Sequence, residues 1–446
     1  MSRYHMRDIA VVFLFVFLIF ITLRKPYIGV SAWIWIALAY PAGWAWGFSS
    51  SLRINFTIAA LTIFAYLIYK RKPEIKFDGS TVLIIIFWIL ALVSSFLSES
   101  LLNDLAWAKF SELSKIIVLY FSAILILEKK IHIDTVIWSI VLSVCSFAAM
   151  EAVKYLLSGG GHDIAGFNGH VLGDRNDLAV AINMCIPLII YLISETKHKQ
   201  LKLGLIALLI LNIISVVGTS SRGGFVGLMV IALYFFIKSK RKLLLSTLIV
   251  MSLPVFIASV PSEWSERMET VSEAQSDNSF IGRLWAWKVS VRIANDNVFG
   301  NGFYGTQDPL AWSLYIDTID NFGFVDTPAA PKGQLPKAAH SIYFQVLADI
   351  GYIGLSIYVL LLVSLYLRLQ RLRKLAKEQS LDWCYSLSSM LSVSVIGYMI
   401  TGANVSLAYF DLFFVLIALS LVIEKRILST TVPVTIKERK NAYLTG

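Results

Sequence analysis

The sequence predicts an all-α polytopic integral membrane protein, and three observations carry that prediction. Hydrophobic residues fill 57% of the 446 positions and charged residues only 15%, against about 45–50% and roughly 25% in a soluble domain. Mean hydropathy is +0.70. The apolar residues gather into runs near bilayer length, about 20 residues each, and none alternates as a barrel strand does. Backbone groups in lipid find partners only within helices or closed barrels, so the runs read as helices. A soluble domain, a disordered chain and a collagen-like fibre are excluded.

In chain order, about thirteen apolar segments are expected, with ends good to roughly 2–4 residues. They lie near 9–23, 27–47, 54–69, 81–98, 113–128, 134–156, 177–195, 202–217, 223–238, 242–260, 341–368, 381–402 and 406–424. The first does not read as a signal peptide. Arg24-Lys25-Pro26 leads straight into another apolar run with no small-residue cleavage site. Two connections are long. One is the Gly-rich stretch Gly159–Asn176. The other runs from Pro261 to His340, where Glu263, Glu266, Glu269, Glu273, Asp277, Asp308, Asp317, Asp320 and Asp326 outnumber the basic residues. Loops of that length are usually functional. The organisation expected is N-terminal spans over 1–157, central spans with the Gly-rich loop over 158–260, a large loop over 261–340, C-terminal spans over 341–424 and a basic tail over 425–446.

The net charge of +10 sits in short connections, which assigns orientation rather than a nucleic-acid partner. Lys70-Arg71-Lys72, Lys129-Lys130, Lys197/Lys199/Lys202, Lys238/Lys240/Arg241/Lys242 and the Arg368–Lys377 cluster fall on alternate connections and are expected in the cytoplasm, with Lys425, Arg426, Lys437, Arg439 and Lys440 of the tail. Both long loops then face outward. The same alternation puts Arg3 and Arg7 outside, against the rule, unless one of the first two segments is a half-helix. Cys145, Cys185 and Cys384 all lie in apolar runs and have neither disulfide-framework nor metal-ligand spacing.

The outward face carries the unusual residues. Arg222 lies between two apolar helices, where a cation costs about 2.5–3.5 kcal/mol at mid-depth. Ser220, Ser221, Gly223 and Gly224 place helix-start N–H groups beside it, which suits an anion; a snorkelling interface Arg is the alternative. Arg283 shares a helix face with Trp285, Trp287 and Val291, a pattern an interfacial helix also produces. His340 stands at the boundary of the large loop and a span, where a near-neutral imidazole is a suitable general base or a structural residue. Arg175 lies between Asp174 and Asp177, which offer it ion pairs. Glu151, Asp349 and Asp411 sit at or near span ends, as proton-relay groups or as ordinary polar ends. There is no Walker loop and no metal-ligand spacing, so neither ATP, a metal nor another cofactor is implied.

Taken in order, Ser221-Arg222-Gly223, Gly282-Arg283-Leu284-Trp285, Phe299-Gly300-Asn301-Gly302, His340-Ser341-Ile342-Tyr343 and Asp349-Ile350-Gly351-Tyr352-Ile353-Gly354 resemble the O-antigen ligase/Wzy polymerase family of bacterial envelope glycosyltransferases, over roughly residues 160–420. Met6-Arg7-Asp8, Arg24–Gly29 and Trp44–Phe48 look like the start of a subgroup, the O-glycosylation ligases that accompany exosortase A. The resemblance implies a helical bundle in the inner membrane with a large periplasmic loop over a cavity. It implies metal-independent transfer of a glycan from undecaprenyl diphosphate to a hydroxyl of a lipid, glycan or protein. Arg222 and Arg283 would then hold the diphosphate and His340 would take the proton, with Arg175 and Ser221 as further substrate contacts. Trp264, Trp285, Trp287, Tyr304 and Trp312 offer stacking surfaces for sugars or interfacial anchors. Ligase and polymerase share this donor chemistry and differ in acceptor. A transporter or flippase of lipid-linked sugars is the reading from another class; internal repeats and mid-membrane helix breaks would favour it, and no repeat is evident.

Overall fold

The computed structural model describes residues 3–45, 47–68, 78–239, 278–319 and 327–428. Every regular element among them is helical. The expected span near 242–260, the acidic residues between 263 and 277, Trp264, Asp320, Asp326, Lys70–Lys72, Lys240–Lys242 and the tail beyond 428 lie outside the described residues.

The long helices are α1 (Arg3–Arg24), α2 (Pro26–Ala39), α3 (Ile54–Ile68), α4 (Gly79–Leu97), α5 (Asn103–Ile126), α6 (Lys130–Leu157), α7 (Arg175–Glu195), α8 (Lys199–Gly218) and α9 (Arg222–Lys238). The large loop contributes α10 (Asn278–Asp296) and α11 (Pro309–Tyr315), and the chain continues with α12 (Ile342–Glu378), α13 (Asp382–Thr401) and α14 (Asp411–Val422). Seven described helices are long and apolar enough to cross a bilayer: α1, α4, α6, α7, α8, α12 and α13, the last with the turn that follows it. The chain is a multi-pass membrane protein. The other described spans expected from the sequence are shorter or more charged. α2 stops at Tyr40, whose left-handed backbone (φ 48°) precedes Pro41. α5 carries Lys109, Glu112 and Lys115, and α14 has only 12 residues.

Helix starts follow local chemistry. Asp78 caps α4 through the N–H of Thr81, Asp174 caps α7 through that of Asn176, and Ser221 caps α9 through that of Gly224. Of the seven candidate spans α7 is the most enclosed, packed among α6, α8, α9 and α13. α1 is the most peripheral; Phe13, Phe17 and Phe20 face outward on it, as lipid contact requires.

The bundle has two distinct ends. At one, Lys130 pairs with Glu195 at 3.1 Å and lies 5.2 Å from the Trp383 ring centroid, while Arg368 pairs with Asp78 and, at 3.5 Å, with Glu424. The described basic connections collect there. At the other end Asp8, near the start of α1, accepts from the backbone N–H groups of Gly47 and Ser49. The first helix therefore starts at the end opposite the basic connections, as strict alternation requires.

The large loop has its own small core of Ile281, Trp285, Val289, Ile293, Trp312 and Tyr315. It is stapled to the bundle around the Gly-x-Gly turn. Asn301 N–H donates to the Ala348 carbonyl at 2.9 Å, and Gly302 N–H reaches the Asp349 carbonyl at 3.1 Å and Ser94 Oγ at 3.0 Å. Asp349 is buried, and its carboxylate accepts from Gly305 N–H and the Tyr409 hydroxyl, both at 3.0 Å. Gly351 breaks α12 at φ 75°, and a Cβ there would come within 2.0 Å of the Val298 carbonyl oxygen, so only glycine fits.

Candidate functional site

Arg222 is the first residue of α9, half-buried, at the end of the bundle away from the basic connections. Its position is set by close approach. A Cβ on Gly223 would lie 2.8 Å from Asn404 Cβ, and one on Gly227 would lie 2.0 Å from Thr401 Oγ1. α9 thus rests on the end of α13 at a separation that larger residues would block. Asn183 of α7, fully buried, ties the same corner together. Its amide donates to the Gly224 carbonyl at 2.8 Å and to Thr401 Oγ1 at 3.3 Å. The Ser221 hydroxyl accepts the Gly224 N–H at 3.1 Å, so this candidate contact residue also serves as the helix cap.

Arg283 reaches the same corner from the large loop. Its Nη1 donates to Asn404 Oδ1 at 3.4 Å, long for a hydrogen bond. The contact engages one of the guanidinium's five donors and bears on its direction. Lys337 packs over Gly282, with its Nζ 5.8 Å from the Trp285 ring centroid.

His340 has a left-handed backbone (φ 44°), uncommon for a non-glycine residue. Two contacts hold it there. Its N–H donates to Ser406 Oγ at 2.8 Å, and the preceding Ala339 carbonyl accepts the Trp287 indole N–H at 2.7 Å. Trp287 in turn stacks on Phe344, centroids 4.9 Å apart. Burial and the positive charge of Arg283, with a smaller contribution from Lys337, hold the imidazole below the ordinary histidine pKa, while Asp174 pulls the other way. Arg283 and Asp174 are therefore both near enough to act on the imidazole's charge. Arg175 follows Asp174 as the first residue of α7 and is half-buried.

The 402–408 turn between α13 and α14 unites these groups. Asn404 touches Gly223 and Arg283, Ser406 holds His340, and Ala408 N–H donates to Gln345 Oε1 at 3.0 Å. Sequence reasoning missed Asn404 and Ser406. Their only signal was a short polar break between the apolar runs 381–402 and 406–424.

Residues 207–359 match the family described as O-Antigen ligase. That segment contains Arg222, Arg283 and His340, and the match implies an enzyme that transfers glycans. Residues 6–197, including Arg175, match a second family, whose function is unknown. The 402–408 turn lies beyond both matched segments. No curated protein matches the chain.

Other candidates take different places. Trp285 and Trp312 are buried in the loop core, their indole N–H groups donating to the carbonyls of Pro328 and Gln334, which leaves no open ring face for a sugar. Trp287 packs behind His340, and Tyr304 is half-buried with a left-handed backbone. Glu151 pairs with Lys154 and His162, both at 2.6 Å. Among the described residues no three His, Cys, Asp or Glu side chains converge as a metal site.

Proposed function

We propose that this protein transfers a glycan from undecaprenyl diphosphate to an acceptor hydroxyl at the periplasmic face of the bacterial inner membrane, without a metal. The observation that carries the proposal is the arrangement around one turn: Asn404 lies against the residue after Arg222 and accepts from Arg283, while Ser406, two residues on, holds His340. The basic connections at the opposite end support the orientation, since Lys- and Arg-rich short loops stay in the cytoplasm.

In this reading the acceptor oxygen attacks the anomeric carbon and its proton passes to the His340 imidazole. The bond from that carbon to the diphosphate oxygen breaks, and the diphosphate leaves on its lipid. Arg222 and Arg283 offset the charge that grows on it, and their planar forks suit phosphate oxygens. His340 is neutral at neutral pH, as a base must be. A bound diphosphate anion would raise its basicity at the moment it is needed.

The acceptor, whether lipid, glycan or protein, decides between ligase and polymerase. The likeness of Met6-Arg7-Asp8, Arg24–Gly29 and Trp44–Phe48 to exosortase-associated O-glycosylation ligases is the sequence feature that points toward ligation. The test is reconstitution in lipid with an undecaprenyl-diphosphate glycan and each acceptor class in turn. Arg222→Ala and Arg283→Ala should each lower transfer by about 10²–10³ and His340→Ala by about 10²–10⁴, with insertion and thermal unfolding unchanged. Normal product from His340→Ala would overturn the assignment of the base. Lipid movement across vesicles with no glycosidic product would favour a flippase.

A further inference from the structure

We infer that Asn404 and Ser406, in the turn between α13 and α14, are positioning residues of the transfer site: Asn404 sets the Arg283 fork against the Arg222 corner, and Ser406 fixes the backbone from which the His340 imidazole projects. The inference rests on the proposed function and extends it to a segment outside both matched regions.

The geometry separates the two roles. Asn404 stands between the arginines. Its side chain packs on Gly223, so closely that a methyl there would come within 2.8 Å, and its Oδ1 is an acceptor for Arg283 Nη1 at 3.4 Å. An amide is suited to this post. A carboxylate would neutralise the cation that the diphosphate needs, and an apolar side chain would remove the acceptor that Arg283 Nη1 meets on this turn. Ser406 acts on the main chain. It accepts the His340 N–H at 2.8 Å, and His340 holds φ 44°. Left-handed non-glycine residues are strained and persist only where neighbours over-determine them. Ser406 and Trp287, gripping the two sides of the Ala339–His340 peptide, are those neighbours.

The turn is itself rigidly seated. Ala408 N–H is held by Gln345, and the Tyr343 hydroxyl donates to the Met399 carbonyl at 2.9 Å. A Cβ on Gly402 would meet Ile342 Cδ1 at 2.7 Å. α12, whose start follows His340, and the turn therefore move as one piece, and the large loop docks Arg283 onto it.

The test is a double-mutant cycle on binding of undecaprenyl diphosphate to the full-length protein in lipid nanodiscs, joined to steady-state transfer. Asn404→Ala should weaken binding about tenfold in the native background and have no further effect in Arg283→Ala, since it acts through that guanidinium. Asn404→Asp should weaken binding too and move the acid limb of the pH–rate profile upward, because a carboxylate beside Arg283 favours the charged imidazole. Ser406→Ala should leave lipid binding unchanged and lower kcat about tenfold, with Ser406→Thr restoring most of the loss. Equal weakening by Asn404→Ala in both backgrounds would make Asn404 a packing residue and overturn its half of the inference; unchanged kcat in Ser406→Ala would overturn the other. If the native protein fails to bind the lipid, the proposed function itself falls. If it binds and the cycle is additive, only the positioning role of Asn404 falls.

Discussion

Arg222 and Arg283 differ from lysines in shape as well as in charge. Arg222→Lys keeps the charge but loses the planar fork on which the proposed diphosphate contact relies, and should cut transfer at least about tenfold with the protein still inserted; kcat/KM for the donor reads it. His340 makes a pH prediction. Because burial, Arg283 and Lys337 depress its pKa against the pull of Asp174, it stays neutral to lower pH than a free histidine. The acid limb of kcat/KM should therefore lie below about pH 6.5, activity falling as pH drops through the depressed value, and Lys337→Ala should move the limb upward. Arg222 was legible in the sequence as a candidate because a cation between two apolar runs is costly. Asn404 and Ser406 were not, because an amide and a hydroxyl at a helix end are common. Only coordinates reveal that they face residues 121 and 66 positions away.

Elements carry the next set of effects. The ordered motifs from Gly300 to Gly354 were readable as a string, but their purpose was not. The structure makes them a staple joining the large loop to α4 and α12 through Ser94, Asp349 and Gly302. Asp349 was open to a proton-relay reading. Its carboxylate is instead committed to Gly305 N–H and the Tyr409 hydroxyl. Asp349→Ala leaves buried donors without an acceptor and should destabilise the protein by about 3 kcal/mol, seen as a lower midpoint of thermal unfolding in lipid. Ser221→Ala should cost about 1 kcal/mol as a lost cap and lower transfer modestly, because Arg222 begins the helix that Ser221 caps. The length of α2 was misjudged from composition. Apolar residues continue past Tyr40, but a left-handed residue followed by Pro41 ends the helix whatever the hydropathy.

For the whole molecule, helix content and the alternation of charged connections were legible, since lipid permits few other arrangements. Which helices touch was not, because association in lipid depends on small residues and buried polar pairs rather than on apolar periodicity. Gly227 against Thr401 and Asn183 against Gly224 are such contacts. The end opposite the site is held by Arg368 with Asp78 and Glu424. Arg368→Ala should lower stability by about 3 kcal/mol while activity per folded molecule stays normal, a separation that thermal unfolding and transfer assays read together. The walls of the candidate site come from distant stretches of chain: Asp174 and Arg175 before the segment that matches the O-antigen ligases, and the 402–408 turn after it. A chimaera that exchanges residues 207–359 between relatives would carry the proposed Arg222, Arg283 and His340 into its new host and should still be silent, unless the host's own flanking sequence happens to complete the mould.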